Sequence, residues 1–177
     1  MTLEPSGGTS TATTPLEDAA PRWLDADEQR TWRAWMGSAR LVLETLDRQL
    51  SQTADLPHTY YEILARLSEA PGRTLRMSQL ANGALVSRSR LSHAVSRLED
   101  KGWIRRQSCP EDKRGALAAL TDDGFAVLAA AAPGHVEAVR QVLFDPLDAA
   151  QVRQLDAICT RLLDAQADRE DGQLPPC

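Results

Sequence analysis

Between residues 57 and 120 the chain is punctuated at short intervals by Pro57, Pro71-Gly72, Gly83, Gly102 and Gly115. Proline removes a backbone donor and glycine tolerates positive φ, so each marks a place where regular structure ends or turns. No stretch between them can hold a long helix, and the region must be built from short elements. Pro57 opens a helix at a position where a missing N–H costs nothing. Tyr60, Ile63, Leu64 and Leu67 form its buried stripe, and Pro71-Gly72 ends it. A short helix over 77–82 stops at Gly83. Ser87 is placed to cap a longer helix to Lys101, with Leu91, Ala94, Val95 and Leu98 facing inward and Gly102 as its C-terminal stop. Residues 103–106 and 116–120 read as two short strands joined by a polar loop over 107–115. The second strand is Ala-rich and therefore weakly strand-forming.

The flanks have a different texture. Residues 1–22 are rich in Thr, Ser, Gly and Pro without apolar periodicity, which reads as a disordered arm. Asp25 and Glu28 then form a capping-box pattern. Trp32, Trp35, Met36, Ala39, Val42, Leu43, Leu46 and Leu50 recur at steps of three and four, the face of one helix. At 1.5 Å per residue a helix of about 25 residues is near 38 Å long. One small domain cannot cover that length, so a partner surface is expected. After the second strand, Thr121 caps another helix, which the Pro133-Gly134 pair is expected to kink or break. Asp148 and Gln151 are a second capping box. They open a last helix with the apolar stripe Val152, Leu155, Ile158, Cys159 and Leu162. From Ala165 the sequence turns polar and acidic. Aromatic residues are only 5% while Ala, Leu, Arg and Asp dominate, which favours helices over a β-sandwich.

Charge is distributed unevenly. The net charge of −5 and pI near 5.2 argue, as averages, against a phosphate-rich partner. Residues 72–115, however, hold ten basic against four acidic residues, a net +6, which leaves −11 for the remainder. The positive segment coincides with the helix–break–helix–strand–loop–strand pattern. The helix over 87–101 turns Ser87, Arg88, Ser89, Arg90, Ser92, His93, Ser96 and Arg97 away from its apolar stripe. Short hydroxyls let the backbone approach a groove, while Arg and His can donate to guanine N7 and O6. An α-helix of this kind fits the major groove, braced by the helix before it. An Arg at the tip of the following loop suits a narrow, electronegative minor groove, and Asp112 can orient it.

On these motifs the chain resembles the MarR family of bacterial winged helix-turn-helix regulators. The matching residues are Arg76-Met77-Ser78-Gln79-Leu80-Ala81, the segment 87–102 ending Arg97-Leu98-Glu99-Asp100-Lys101-Gly102, Asp112-Lys113-Arg114-Gly115, and Leu120-Thr121-Asp122-Asp123-Gly124. The resemblance spans residues 25–167. It implies a mostly α fold: a winged helix-turn-helix DNA-binding lobe with a small β-wing over 55–120, and a helical dimerisation region from 25–52 and 122–167. Residues 168–177 are then a polar tail. It further implies a cytoplasmic homodimer that binds a palindromic operator in double-stranded DNA, most simply as a repressor. Ser89, Arg90, Ser92 and His93 fall at base-facing positions. Arg76, Ser87, Arg88, Arg97 and Lys113 belong to the same DNA-binding set, Arg114 matches the wing-tip arginine and Asp112 its acidic partner. The family often has a small or β-branched residue where Arg90 stands, and Arg where His93 stands. The base code is therefore not transferable, and Arg90 implies an extra guanine or phosphate contact.

Other candidates weigh less. Trp32 and Trp35 suit either a dimer core or an effector pocket for a small aromatic or phenolic molecule, a common family feature. Arg40 or Arg66 could pair an anionic effector. His58, His93 and His135 lack ligand spacing, so neither a metal nor a cofactor is expected. Cys109 sits among wing cations that favour thiolate, although an incidental surface thiol is the plainer reading, and Cys159 reads as a packed small residue. Three distant cysteines make no disulfide framework and fit a reducing compartment. No basic n-region with a following apolar stretch reads as a secretory signal. The longest nearly apolar run, 125–133, is far too short to span a bilayer. HExxH, GxSxG, P-loop and GxGxxG motifs are missing, which argues against an enzyme. The remaining alternatives are a helical protein–protein interaction module without specific DNA binding and a non-specific architectural DNA binder, which the acidic remainder of the chain disfavours because it would repel DNA outside the lobe.

Overall fold

The computed structural model describes residues 21–83, 87–108 and 116–171, with the backbone alone for Arg88 and 167–171. Chain contacts divide it into two units, Met1–Met36 and Gly37–Cys177. Helix α1 (Ala26–Ala54) begins in the first and ends in the second. Its start is the reciprocal cap expected from sequence. Asp25 Oδ1 accepts the Asp27 and Glu28 amides at 2.8 Å, and Glu28 Oε2 accepts the Asp25 amide at 2.9 Å.

Helix α2 (His58–Glu69) starts after Pro57, which offers no side-chain acceptor. Its first amide is instead satisfied from α1: His58 N–H donates to Asp47 Oδ1 at 2.9 Å. Ile63, Leu64 and Leu67 are fully buried. A 3-10 turn over Pro71–Arg73, with Gly72 and Arg73 both at positive φ, swings the chain into strand β1 (Thr74–Arg76). Sequence patterning gives no sign of this strand. It is three residues long and exists only by pairing, Leu75 opposite Ala118. Helices α3 (Met77–Gly83) and α4 (Arg88–Asp100) follow, then strands β2 (Ile104–Ser108) and β3 (Ala116–Leu120). The first wing strand thus runs two residues beyond the expected 103–106. The sheet is antiparallel in the order β1-β3-β2. Ala-rich β3 is central, because Ala118 and Ala119 are buried there and their small side chains permit close packing.

Helix α5 (Asp122–Val139) is tied down at its start. Thr121 Oγ1 accepts the Gly124 amide at 3.0 Å and donates to the Gly102 carbonyl at 2.8 Å. The Thr121 amide donates to the Trp103 carbonyl at 3.0 Å. A Cβ on Gly124 would lie 2.2 Å from that same Trp103 oxygen. The helix runs through Pro133-Gly134 rather than breaking there. Pro133 and Ala129, whose carbonyl loses its donor, are both exposed, so water can take the bond. Irregularity comes later, as a π-helical segment over Arg140–Phe144. Asp148 and Gln151 exchange bonds at 2.9 Å each and open α6 (Ala149–Asp171), which extends past the expected boundary at 167.

The core gathers Leu50, Leu56, Ile63, Leu64, Leu67, Leu80, Leu91, Val95, Leu98, Ile104 and Ala118. Only Leu46 and Leu50 of the long α1 stripe are buried; Trp32, Trp35, Met36 and Leu43 are exposed. On α6, Ile158 and Leu162 are exposed, and Cys159 is exposed rather than packed, because that stripe faces off the chain. Among the described residues no helix is long and apolar enough to cross a membrane, and no group of His, Cys, Asp and Glu could hold a metal.

His135, on α5, is the one polar side chain buried among the described residues. Its ring lies 4.2 Å from that of Tyr61 and 5.5 Å from that of His58, both on α2. Its Nδ1 has no hydrogen-bond partner among the described residues. Burial lowers its pKa below 6.5, and His58 adds like-charge repulsion. Glu62, Arg66 and Glu69 line the same depression.

Two outcomes are expected. Gly124→Ala should destabilise the fold by roughly 1–3 kcal/mol, the range for overpacking against rigid backbone. A urea midpoint equal to that of the wild type would show that the α5–Trp103 approach can relax. For His135, the depressed folded pKa means that the unfolded chain binds more protons. Its contribution is therefore full above pH 6.5 and declines as pH falls toward the folded value. Unfolding free energy should drop more between pH 7.5 and pH 5 for the wild type than for His135→Leu. Parallel pH profiles would refute this.

Candidate nucleic-acid interface

The exposed face of α4 follows from how the helix is held. Ser87, in extended conformation, caps it by accepting the Arg90 amide at 3.3 Å. Leu91, Ala94, Val95 and Leu98 are buried, so helical spacing turns Ser89, Arg90, Ser92, His93, Ser96 and Arg97 outward, and all six are exposed. At the other end Gly102, at φ +75, ends the helix, and its amide donates to the Glu99 carbonyl at 2.8 Å. Arg76 is half-buried at the end of β1, where its amide donates to Gln79 Oε1 at 3.1 Å and so starts α3. The side chain of Arg88 and the wing residues Cys109, Asp112, Lys113 and Arg114 lie outside the described residues.

The cations of the segment are not equivalent. Arg73 is engaged within the chain: its guanidinium lies 3.9 Å from the Phe125 ring centre and 3.2 Å from Asp122 Oδ1. Lys101 Nζ sits 4.7 Å from the centre of the Trp103 ring. Arg106 is held against α4 through Glu99 and the Ser92 carbonyl. Arg90, Arg97 and Arg105 are exposed. A count of charges along the sequence cannot separate these groups, because spacing does not show which arginine the fold uses internally.

The comparisons with known proteins bear on this arrangement. The family model described as MarR family matches residues 54–115, from the end of α1 to the wing. The chain is 32% identical over 124 residues to the HTH-type transcriptional regulator PecS of Dickeya dadantii, covering 69% of this chain and 73% of that one. It is 35% identical over 126 residues to the multiple antibiotic resistance protein MarR of Salmonella typhimurium, covering 70% and 86%. The chain belongs to the MarR family.

Two solved structures of MarR-family regulators from Streptomyces coelicolor share the fold. Sco3205, crystallised in complex with DNA, superposes with a TM-score of 0.79 at 52% identity, covering 82% of this chain and 91% of that one. AbsC superposes with a TM-score of 0.75 at 38% identity, covering 86% and 100%. The winged-helix reading of the sequence therefore holds, and the chain is a MarR-family transcriptional regulator rather than an enzyme.

Within this MarR-family chain, Trp32 and Trp35 lie in the first unit, about half exposed, with ring centres 5.4 Å apart. Arg40 is paired with Glu44 at 3.5 Å. The ties at Thr121, Gly124 and Arg106 escaped the sequence reading. The first two were legible as a motif, but their partners were not, because Gly102 and Trp103 enter only through backbone carbonyls.

Proposed function

We propose that this regulator binds a palindromic operator in double-stranded DNA as a homodimer and represses by occluding polymerase. One observation carries the reading: the polar face of α4 is exposed along its length while its opposite face is buried in the core. Such a helix enters the major groove as a fixed body. Ser89, Arg90, Ser92 and His93 are the base-facing set. Arg76, Ser87, Arg88, Arg97 and Lys113 act on the backbone or flanking bases, and Arg114, oriented by Asp112, enters the minor groove. The DNA complex of Sco3205 supports this class of partner.

The exposed apolar residues Ile158, Leu162 and Leu163 on α6, and Leu41 and Leu43 on α1, support a second copy as the partner that covers them. Two-fold symmetry then requires two half-sites about one helical turn, roughly 10 bp, apart. A small aromatic or phenolic effector held at Trp32 and Trp35 would release DNA by shifting the spacing of the two recognition helices.

Selection of bound sites from a random DNA pool tests the reading, and an enriched palindrome is expected. On that operator, substituting Arg90 or His93 should change the preferred base at one symmetric pair of positions. Arg114→Ala should weaken binding and reduce the salt slope by about one. Recovery of sites without two-fold symmetry, or a monomer by sedimentation, would overturn it.

A further inference from the structure

Strand β2 is an edge strand of the sheet. An edge leaves outward-facing amides that need partners. The Arg106 amide finds one on the neighbouring helix, donating to Glu99 Oε1 at 3.1 Å. The Arg106 guanidinium returns to the same helix twice. Its Nε lies 3.4 Å from Glu99 Oε2, and its Nη2 donates to the Ser92 carbonyl at 2.9 Å. Ser92 and Glu99 are seven residues apart, two turns of α4 and about 10 Å along its axis. One point of attachment lets a helix pivot about it; two fix its direction.

We infer that Glu99 and Arg106 are positioning residues for DNA reading, a clasp that sets the angle of α4 against the wing strand. The inference rests on the reading of α4 as the recognition helix. The apolar stripe of Leu91, Ala94, Val95 and Leu98 anchors the helix by non-directional contacts, which tolerate small rotations better than directed hydrogen bonds do. The clasp adds direction, and it grips the backbone at Ser92 itself, one of the base-facing positions. Both side chains remain more than a third exposed, Arg106 at 35% and Glu99 at 39%. At that exposure an ion pair adds little to stability. Its effect is on geometry, which places its signature in specificity rather than in the melting temperature. Arg106 is also committed to α4 and is not one of the phosphate contacts, although it counts toward the positive charge of the segment.

The test uses the full chain, the selected operator and a scrambled duplex of equal length. Arg106→Lys keeps the charge but loses the two-point grip, and Glu99→Gln keeps the shape but removes the carboxylate. Both variants should retain the wild-type circular dichroism and a melting temperature within a few degrees. The ratio of operator to scrambled affinity should fall by roughly tenfold, the cost of one misplaced base contact. The salt slope should not change. The double variant should be no worse than the poorer single one, since both remove the same contact.

Simple electrostatics makes the opposite prediction for Glu99→Gln, because losing a negative charge near DNA favours binding. Ratios within about twofold of the wild type for both variants would overturn the clasp. A uniform loss on both duplexes for Arg106→Gln, with a slope lower by about one, would mark Arg106 as a phosphate contact and overturn it too. A wild-type protein that does not distinguish the duplexes would overturn the operator reading, and the role of the clasp with it. That result differs from a wild type that discriminates beside variants that do so equally well.

Discussion

The turn at Gly102 and Trp103 is where the structure is tied together. Gly102 ends α4 at positive φ. Thr121 donates to the Gly102 carbonyl, and its amide donates to the Trp103 carbonyl. Gly124 then lets the first turn of α5 come so close to Trp103 that any side chain would collide with it. Three elements with separate roles meet there: the helix that faces outward, the sheet that carries the wing, and the helix that leads to the C-terminal region. These bonds are short and mostly to backbone, so they constrain position more than surface ion pairs do. The orientation of α4 depends on them at its C-terminal end, as it depends on Glu99 and Arg106 along its side.

Charge has to be read in the same way. The sum over 72–115 is positive, yet part of it is structural. Arg73 lies against Phe125 and Asp122, and Arg106 against Glu99 and the Ser92 carbonyl. Arg90 and Arg97 stand on the outer face of α4. The acidic remainder of the chain need not cancel the basic charge of this segment, because at physiological salt charges more than about 8 Å apart are largely screened from one another.

Most of the fold was legible in local patterns. The Asp25–Glu28 and Asp148–Gln151 boxes, the Ser87 and Thr121 caps and the Gly102 stop all appear where spacing places them. Caps are read within four residues, and nothing distant competes with them. Strand β1 was not legible, because its partner is more than forty residues away. Of the kink or break expected at Pro133-Gly134, the break does not occur: α5 continues, and exposure on that side leaves the lost bond to water. His135 likewise read as a scattered histidine until α2 was laid against α5.

The sequence by itself determined the helices and the two wing strands, the caps and stops at several of their ends, the buried stripe of α4 and the family to which the chain belongs. These depend on residue type and short spacing, where propensity, capping and periodicity act. Only the tertiary structure decided which cations are engaged by other groups of the chain, which apolar stripes remain uncovered, and how α4 is aimed. Those depend on contacts between residues far apart in the chain, such as Thr121 with Gly102 or Arg73 with Asp122. No local pattern encodes such contacts, because their geometry exists only once the elements have packed.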